Sequence, residues 1–358
     1  MKPVLLAIGH VPPDRLGAIH ALHDAQGIVL ALYGGRHHHG TAGVEDPGVP
    51  HLRVPQRTVL RLAASGRYRA VIATSTGRTA MPTAYLGARL ARIPFLYWTG
   101  IWAQVRTPAH LLGAPAVRWI ERDADATLAY GTHVAAYARG HGARNVHIAP
   151  QTVDVGFWSA PAAGARVARR RAGDPRLLVL YAGRTARGKG LGVLLDAWRT
   201  LDAKPADATL LLAGPTPAQV AGAPRGVSAL GPLNALALRD LYAAADVLVV
   251  PSVHTREFRE PWGLVVNEAL LQGTCVIASD SVGAVAGGLV RHERTGLVVA
   301  DGDPRALAGA IERLRRDPVL RGRLGEAGRE AALRLTPEAF ASAVGAALRT
   351  VSAARAAC

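Results

Sequence analysis

A chain of 358 residues with 49% hydrophobic content is long for one core and comfortable for two. No apolar run reaches the roughly 18 residues of a membrane-crossing helix. The two cysteines, Cys275 and Cys358, make no disulfide framework and fit a reducing cytoplasm. The net charge of +16 draws anions such as nucleotides, lipid phosphates and acidic surfaces. With 5% aromatic residues and no recognition motif, nucleic acid is not an expected partner.

The N-terminus, Met1 to Gly9, opens as a strand whose apolar run is too short for a signal peptide. Candidate strands follow at Val4–Ile8, Ile28–Tyr33, His51–Val54, Ala70–Thr74, Pro94–Trp98, Ala126–Tyr130 and Asn145–Ala149. Helical stretches such as Arg15–Ala25 lie between most of them. That rhythm predicts a mostly parallel sheet with both faces covered.

Gly9 closes the first strand. The polar loop Gly34–Gly48 carries His37, His38 and His39 with no partner at ligand spacing, so it reads as solvated loop rather than metal site. Gln56–Arg69 sets Arg57, Arg61, Arg67 and Arg69 beside Val59, Leu60 and Leu62. A basic amphipathic segment of this kind can lie on an anionic bilayer. Trp98 and Thr99, at a strand end, are candidates either for an acceptor pocket or for packing. Asp123-Ala-Asp125 spells a D-x-D, a three-residue match that arises easily by chance.

Residues 161–174 hold few large apolar side chains and read as an interdomain connection, partly helical. The rhythm then restarts with a strand at Leu177–Ala182 and a basic loop, Gly183–Gly190, carrying Arg184 and Lys189. Leu191, Leu194, Leu195, Trp198 and Leu201 repeat at helical spacing. Further strands are expected at Ala208–Ala213 and Val227–Leu230. Asp246–Pro251 reads as a buried strand stopped by proline. After a polar loop, a helix is expected over Leu264–Gln272 with Gly273 as its stop, then a strand at Cys275–Ser279. Thr336-Pro337 caps a last helix carrying Phe340, Val344, Leu348 and Val351.

The stretch from Asp246 to Gly283 carries chemistry. A helix starting at Gly263-Leu264 offers N–H groups and a positive dipole end to an anion, and glycine allows close approach. Glu260 and Glu268 flank that point. Carboxylates repel phosphate but accept hydrogen bonds from hydroxyls. Sugar hydroxyls, diphosphate and ribose hydroxyls in a row are the pattern of a nucleotide sugar.

Glu260 and Glu268 form a Glu-x7-Glu motif within Pro251-Ser252, Glu260-Pro-Trp-Gly263 and Asn267-Glu-Ala269. This resembles the donor site of glycosyltransferase family 4, the retaining GT-B enzymes. Gly183-Arg-Thr-Ala-Arg-Gly-Lys-Gly190 is similar to that family's second signature, an Arg and a Lys five positions apart after a strand. The resemblance is close in the second half and architectural in the first. At the strand end near Trp98 relatives often carry a histidine, and this chain has none.

The resemblance implies an α/β GT-B fold: two Rossmann-like domains with a central cleft. An acceptor-side domain would span 1–160, a linker 161–174 and a nucleotide-sugar domain 175–335. A final helix, 336–358, would cross back to the first domain. The implied reaction moves a sugar from a UDP or GDP donor to a hydroxyl or amine with retention, needing no metal and no further cofactor. Arg184, Lys189 and Glu260 would be catalytic. Gly9, Leu230, Trp262, Gly263, Leu264 and Glu268 would complete the donor site, and Trp98 and Thr99 would face the acceptor. The acceptor would be a lipid-linked glycan or a small molecule. The expected place is the cytoplasm, with weak peripheral association at the inner face of the membrane. Rival readings are an epimerase, an inverting transferase or a non-catalytic nucleotide-sugar binder of the same fold.

Overall fold

The structure, a computed structural model, describes residues 1–34, 44–77, 79–104, 106–201 and 207–356. The chain forms two compact units, 1–154 with 335–358, and 155–334. In the first, the strands are Val4–Ile8 (β1), Ile28–Leu32 (β2), His51–Arg53 (β3), Ala70–Thr74 (β4), Phe95–Thr99 (β5), Ala126–Ala129 (β6) and Val146–Ile148 (β7). Among the described residues they make one parallel sheet in the order β3-β2-β1-β4-β5-β6-β7. The fifth strand starts one residue later than its apolar run, because Pro94 has no N–H for the ladder.

Alternate residues of each strand pack on opposite faces. Val4, Leu6 and Ile8 meet Ile19 and Leu22 of the helix Leu16–Gln26 and Phe340, Val344 and Leu348 of the helix Pro337–Ala356. Leu5, Ala7 and Phe95 meet Val59, Ala63, Ala84 and Ala88 from the helices Thr58–Ala63 and Ala80–Leu90. Burial on both faces explains why the strands are apolar throughout. It also corrects the sequence reading of Gln56–Arg69. Val59 is fully buried and Leu62 packs against the same core, so the apolar stripe of that segment is turned inward.

The second unit contains Leu177–Ala182 (β8), Ala208–Ala213 (β9), Val227–Gly231 (β10), Val247–Val250 (β11), Cys275–Ser279 (β12) and Leu297–Val299 (β13). Their order is β10-β9-β8-β11-β12-β13, all parallel. Both sheets are doubly wound. The first reverses between β1 and β4, the second between β8 and β11. Residues 161–174, expected as a connection, are part of the second unit. The reason is local: Gly164 N donates to Asp240 at 3.1 Å, and Arg169 bonds the Ala244 carbonyl at 2.9 Å and Asp246 at 3.0 Å.

The first unit buries one carboxylate without a matching cation of its own. Glu121 is 6% exposed, and burial pushes its pKa up to about 7, with Arg118 offsetting part of the effect. The folded chain therefore keeps a proton that the unfolded chain has lost. Stability should fall as pH rises from the ordinary carboxylate range to about 7, and level off above it. Glu121→Gln should match wild type near pH 4 and be more stable at pH 8, by at most about 3 kcal/mol. Denaturant midpoints of both proteins across pH test this, and a difference that does not change with pH would refute it.

Candidate functional site: the strand ends of the second sheet

The two loops that leave β8 and β11 meet because those strands are neighbours where the sheet reverses. Such a reversal opens a crevice beyond the carboxyl ends of the strands. Gly190 ends the β8 loop with φ +67°, and a Cβ there would run into the Pro251 carbonyl at the end of β11. A Cβ on Gly188 would strike the Phe258 ring, and Val253 N donates to Gly188 O at 3.0 Å. The loops are thus held in contact by two glycines. A single 3-10 turn, Arg187–Lys189, presents the lysine.

Lys189 Nζ forms an ion pair and hydrogen bond with Glu260 Oε2. The same oxygen accepts from Ser252 Oγ at 3.2 Å, and the Phe258 ring lies 5.4 Å from Nζ. Glu260 is only 5% exposed. Its backbone is fastened to the loop after β12: Gly283 N donates to Glu260 O at 3.0 Å and Ala284 N to Trp262 O at 2.8 Å. A Cβ on Gly283 would collide with the Pro261 carbonyl. Three strand ends therefore fix one carboxylate–ammonium pair.

Gly263, at φ +90°, turns the chain into the helix Val265–Leu271. Leu264 is its N-cap residue, and its first-turn N–H groups have no partner earlier in the helix. Glu268 lies in that short helix, and its Oε2 accepts from Tyr242 OH at 2.8 Å. Tyr242 is fully buried. Burial first, then the Glu268 charge and the hydrogen bond, hold its phenol well above the usual range. The tyrosine thus stays a donor and fixes the Glu268 carboxylate. Trp262 is nearly buried. Its N–H goes to Asn267 Oδ1 at 2.8 Å and its ring lies over Gly287. It braces the loop from behind.

Arg184 is exposed, with its carbonyl held by Tyr181 OH at 2.9 Å. Leu230 is 40% exposed near the end of the edge strand β10. The motifs Arg184–Lys189 and Glu260–Glu268 thus lie on loops and a helix of one sheet edge.

In the first unit, Gly9 ends β1, and Gly34 N donates to its carbonyl at 2.8 Å. A Cβ on Gly9 would press on the Gly34 carbonyl. Trp98 is a core residue at 2% exposure, its ring 5.1 Å from Phe340 and its face covered by the Arg15 guanidinium. Thr99 is equally buried and accepts from Ile101 N at 3.1 Å. Packing is therefore where the structure puts both. Asp123 and Asp125 share Arg89, at 2.9 and 2.6 Å, so the D-x-D is an ion-pair anchor. His37, His38 and His39 lie outside the described residues, as does Cys358.

Sequence reasoning missed Tyr242 and Phe258. Tyr242 sits 26 positions before Glu268 in a helix that reads as ordinary amphipathic sequence, and only burial beside the carboxylate gives it a role. Ser252 was legible as part of the quoted Pro251-Ser252 pair, although its bond to Glu260 was not.

Residues 176–317 match the family model described as "Glycosyl transferases group 1". Over 190 residues the chain is 35% identical to a D-inositol 3-phosphate glycosyltransferase of Streptomyces avermitilis, covering 47% of this chain and 39% of that protein. The curated relatives it matches are spanned over half their length or less. Among solved structures, the Anabaena protein HepE in complex with UDP aligns with a TM-score of 0.80 at 18% identity, covering 98% of this chain and 100% of that one. The sucrose-phosphate synthase of Thermosynechococcus elongatus aligns with a TM-score of 0.76 at 23% identity, covering 99% and 100%. The fold is GT-B, built of two parallel-sheet α/β domains.

Gly190→Ala should break the loop contact, since it combines a left-handed backbone with a collision against Pro251. A loss of at least about 2 kcal/mol is expected. Chemical denaturation of the intact chain measures it, and a wild-type midpoint would mean that the loops are not held together by this approach.

Proposed function

We propose that this protein is a retaining glycosyltransferase that uses a nucleoside diphosphate sugar as donor. The observation that carries the reading is the Lys189–Glu260 pair, set by two separate loops at the reversal of the second sheet. The match of residues 176–317 to the glycosyltransferase model covers the same elements and supports it.

In this reading Arg184 and Lys189 hold the diphosphate. The guanidinium supplies a planar fork and the ammonium a compact charge with three donors. An ammonium with three donors can serve a phosphate oxygen while still touching Glu260. As the bond from the anomeric carbon to the phosphate oxygen breaks, negative charge grows on the diphosphate, and both cations stabilise it. The acceptor oxygen forms its bond to the anomeric carbon on the same face, and its proton passes to the departing phosphate oxygen. That route accounts for the lack of a histidine near Trp98. Glu260 accepts hydrogen bonds from the sugar hydroxyls. Glu268, held by Tyr242, accepts from the ribose hydroxyls. Leu230 and the backbone around Gly231 lie at the strand end suited to the base, and Gly9 is the candidate from the first unit.

The donor is a UDP or GDP sugar. That HepE is described with UDP supports UDP. The acceptor is a lipid-linked glycan or a small molecule carrying a hydroxyl or amine. The two cations take the charge-neutralising part that a divalent ion would play, so transfer is expected to proceed in EDTA.

A calorimetric screen of UDP-, GDP- and ADP-sugars, followed by product analysis in EDTA, should give one preferred donor and a product of retained configuration. No binding of any of the three, or inactivation by EDTA that manganese reverses, would overturn the reading. Lys189→Ala or Arg184→Ala should cost roughly 2–4 kcal/mol of transition-state stabilisation, seen in kcat/KM; near-wild-type transfer by both would reject their assignment.

The two glutamates should separate. Glu268→Ala should weaken binding of the free nucleoside diphosphate. Glu260→Ala should spare or strengthen it, because Lys189 is released to the phosphate, while turnover of the intact donor falls. Equal losses in both variants would merge their roles.

A further inference from the structure

We propose that the first unit docks on an anionic lipid bilayer through the outer face of the helix Pro108–Asp123 and its neighbour Ala80–Leu90. The inference is independent of the glycosyltransferase reading. Large apolar side chains point outward here. Leu112 is 85% exposed, Leu90 64%, Trp119 58%, Leu111 53% and Leu86 48%. Leu112 and Trp119 are seven apart, and Leu86 and Leu90 four apart, so each pair shares one side of its helix. The helices lie side by side: the Tyr85 and Trp119 rings are 5.2 Å apart, and Tyr85 OH donates to Asp123 at 2.6 Å.

The surrounding charge is positive. Arg92, Arg118, Arg122 and Arg144 are exposed there. The acidic groups of the same helix do not oppose them, because Glu121 is buried and Asp123 is paired with Arg89. A hollow of about 230 Å³ is lined by Trp119, Arg122, Asp123 and Arg144. Two guanidinium forks beside an indole suit a phosphate at the depth where tryptophan settles in a bilayer. Leu111 and Leu112 would enter the acyl boundary while the arginines stay with the headgroups. A second copy is a poorer occupant, since a two-fold contact would bring the same arginines face to face. This face differs from Gln56–Arg69, whose apolar residues are buried. No described helix is long and apolar enough to cross a membrane, so attachment is to the surface.

Co-sedimentation of the intact chain with vesicles tests this. Binding is expected to vesicles of equal phosphatidylglycerol and phosphatidylcholine at low salt, and to be lost on phosphatidylcholine alone or at high salt. Arg118→Gln with Arg122→Gln should weaken partitioning about fivefold per arginine. Leu111→Ser with Leu112→Ser should weaken it roughly tenfold or more. Arg170→Gln with Arg171→Gln removes the same charge from the second unit and should change it less than twofold. All these side chains are exposed, so melting temperatures should stay at the wild-type value and report intact folding. Equal losses in the two arginine pairs would reduce the effect to diffuse charge and overturn the proposal. So would no preference for anionic vesicles, or a concentration-dependent dimer abolished by the leucine pair.

Discussion

The adjacency of β8 and β11 is the constraint on which the candidate site depends. Lys189 and Glu260 are 71 positions apart and share one ion pair only because the second sheet reverses between these two strands. A nearly buried carboxylate is costly unless its charge is matched and its lone pairs are used. Here Lys189 and Ser252 both serve Glu260 Oε2. The pair gives little net stability by itself, but it sets where the two loops must lie.

Glycines make that placement possible. Gly188, Gly190 and Gly283 each stand where a side chain would enter a neighbouring loop. Their common property is close approach, so the carboxyl edge of the sheet is packed backbone against backbone. Flexible loops there would leave the Lys189–Glu260 pair undefined. The Glu268–Tyr242 bond extends the same principle one layer deeper, since the fully buried tyrosine fixes the direction of a carboxylate on a short helix.

The first unit uses the same winding differently. Its strand ends at Trp98 and Thr99 are closed by Phe340 and Arg15, so the side chains that looked available for an acceptor serve the core. The helices on the other face of that sheet bury the apolar side of Thr58–Ala63 and leave Leu111, Leu112 and Trp119 outside. Arginine excess in the sequence is therefore spread over both hidden and exposed apolar stripes, and only packing separates them.

The sequence by itself determined the parallel α/β class, since apolar runs such as Val4–Ile8, Leu177–Ala182 and Cys275–Ser279 are strands with the boundaries their composition implies. It also marked Arg184, Lys189, Glu260 and Glu268, because charged groups at the end of an apolar run stand out against it. Tertiary structure decided everything that depends on which elements become neighbours. It joined residues 161–174 to the second unit through Arg169, spent Asp123 and Asp125 on Arg89, and buried Trp98. It also brought Tyr242 to Glu268 and turned the 56–69 stripe inward. Local periodicity fixes which face of an element is apolar. What that face meets is set by strand order and helix packing, which no single stretch of sequence contains.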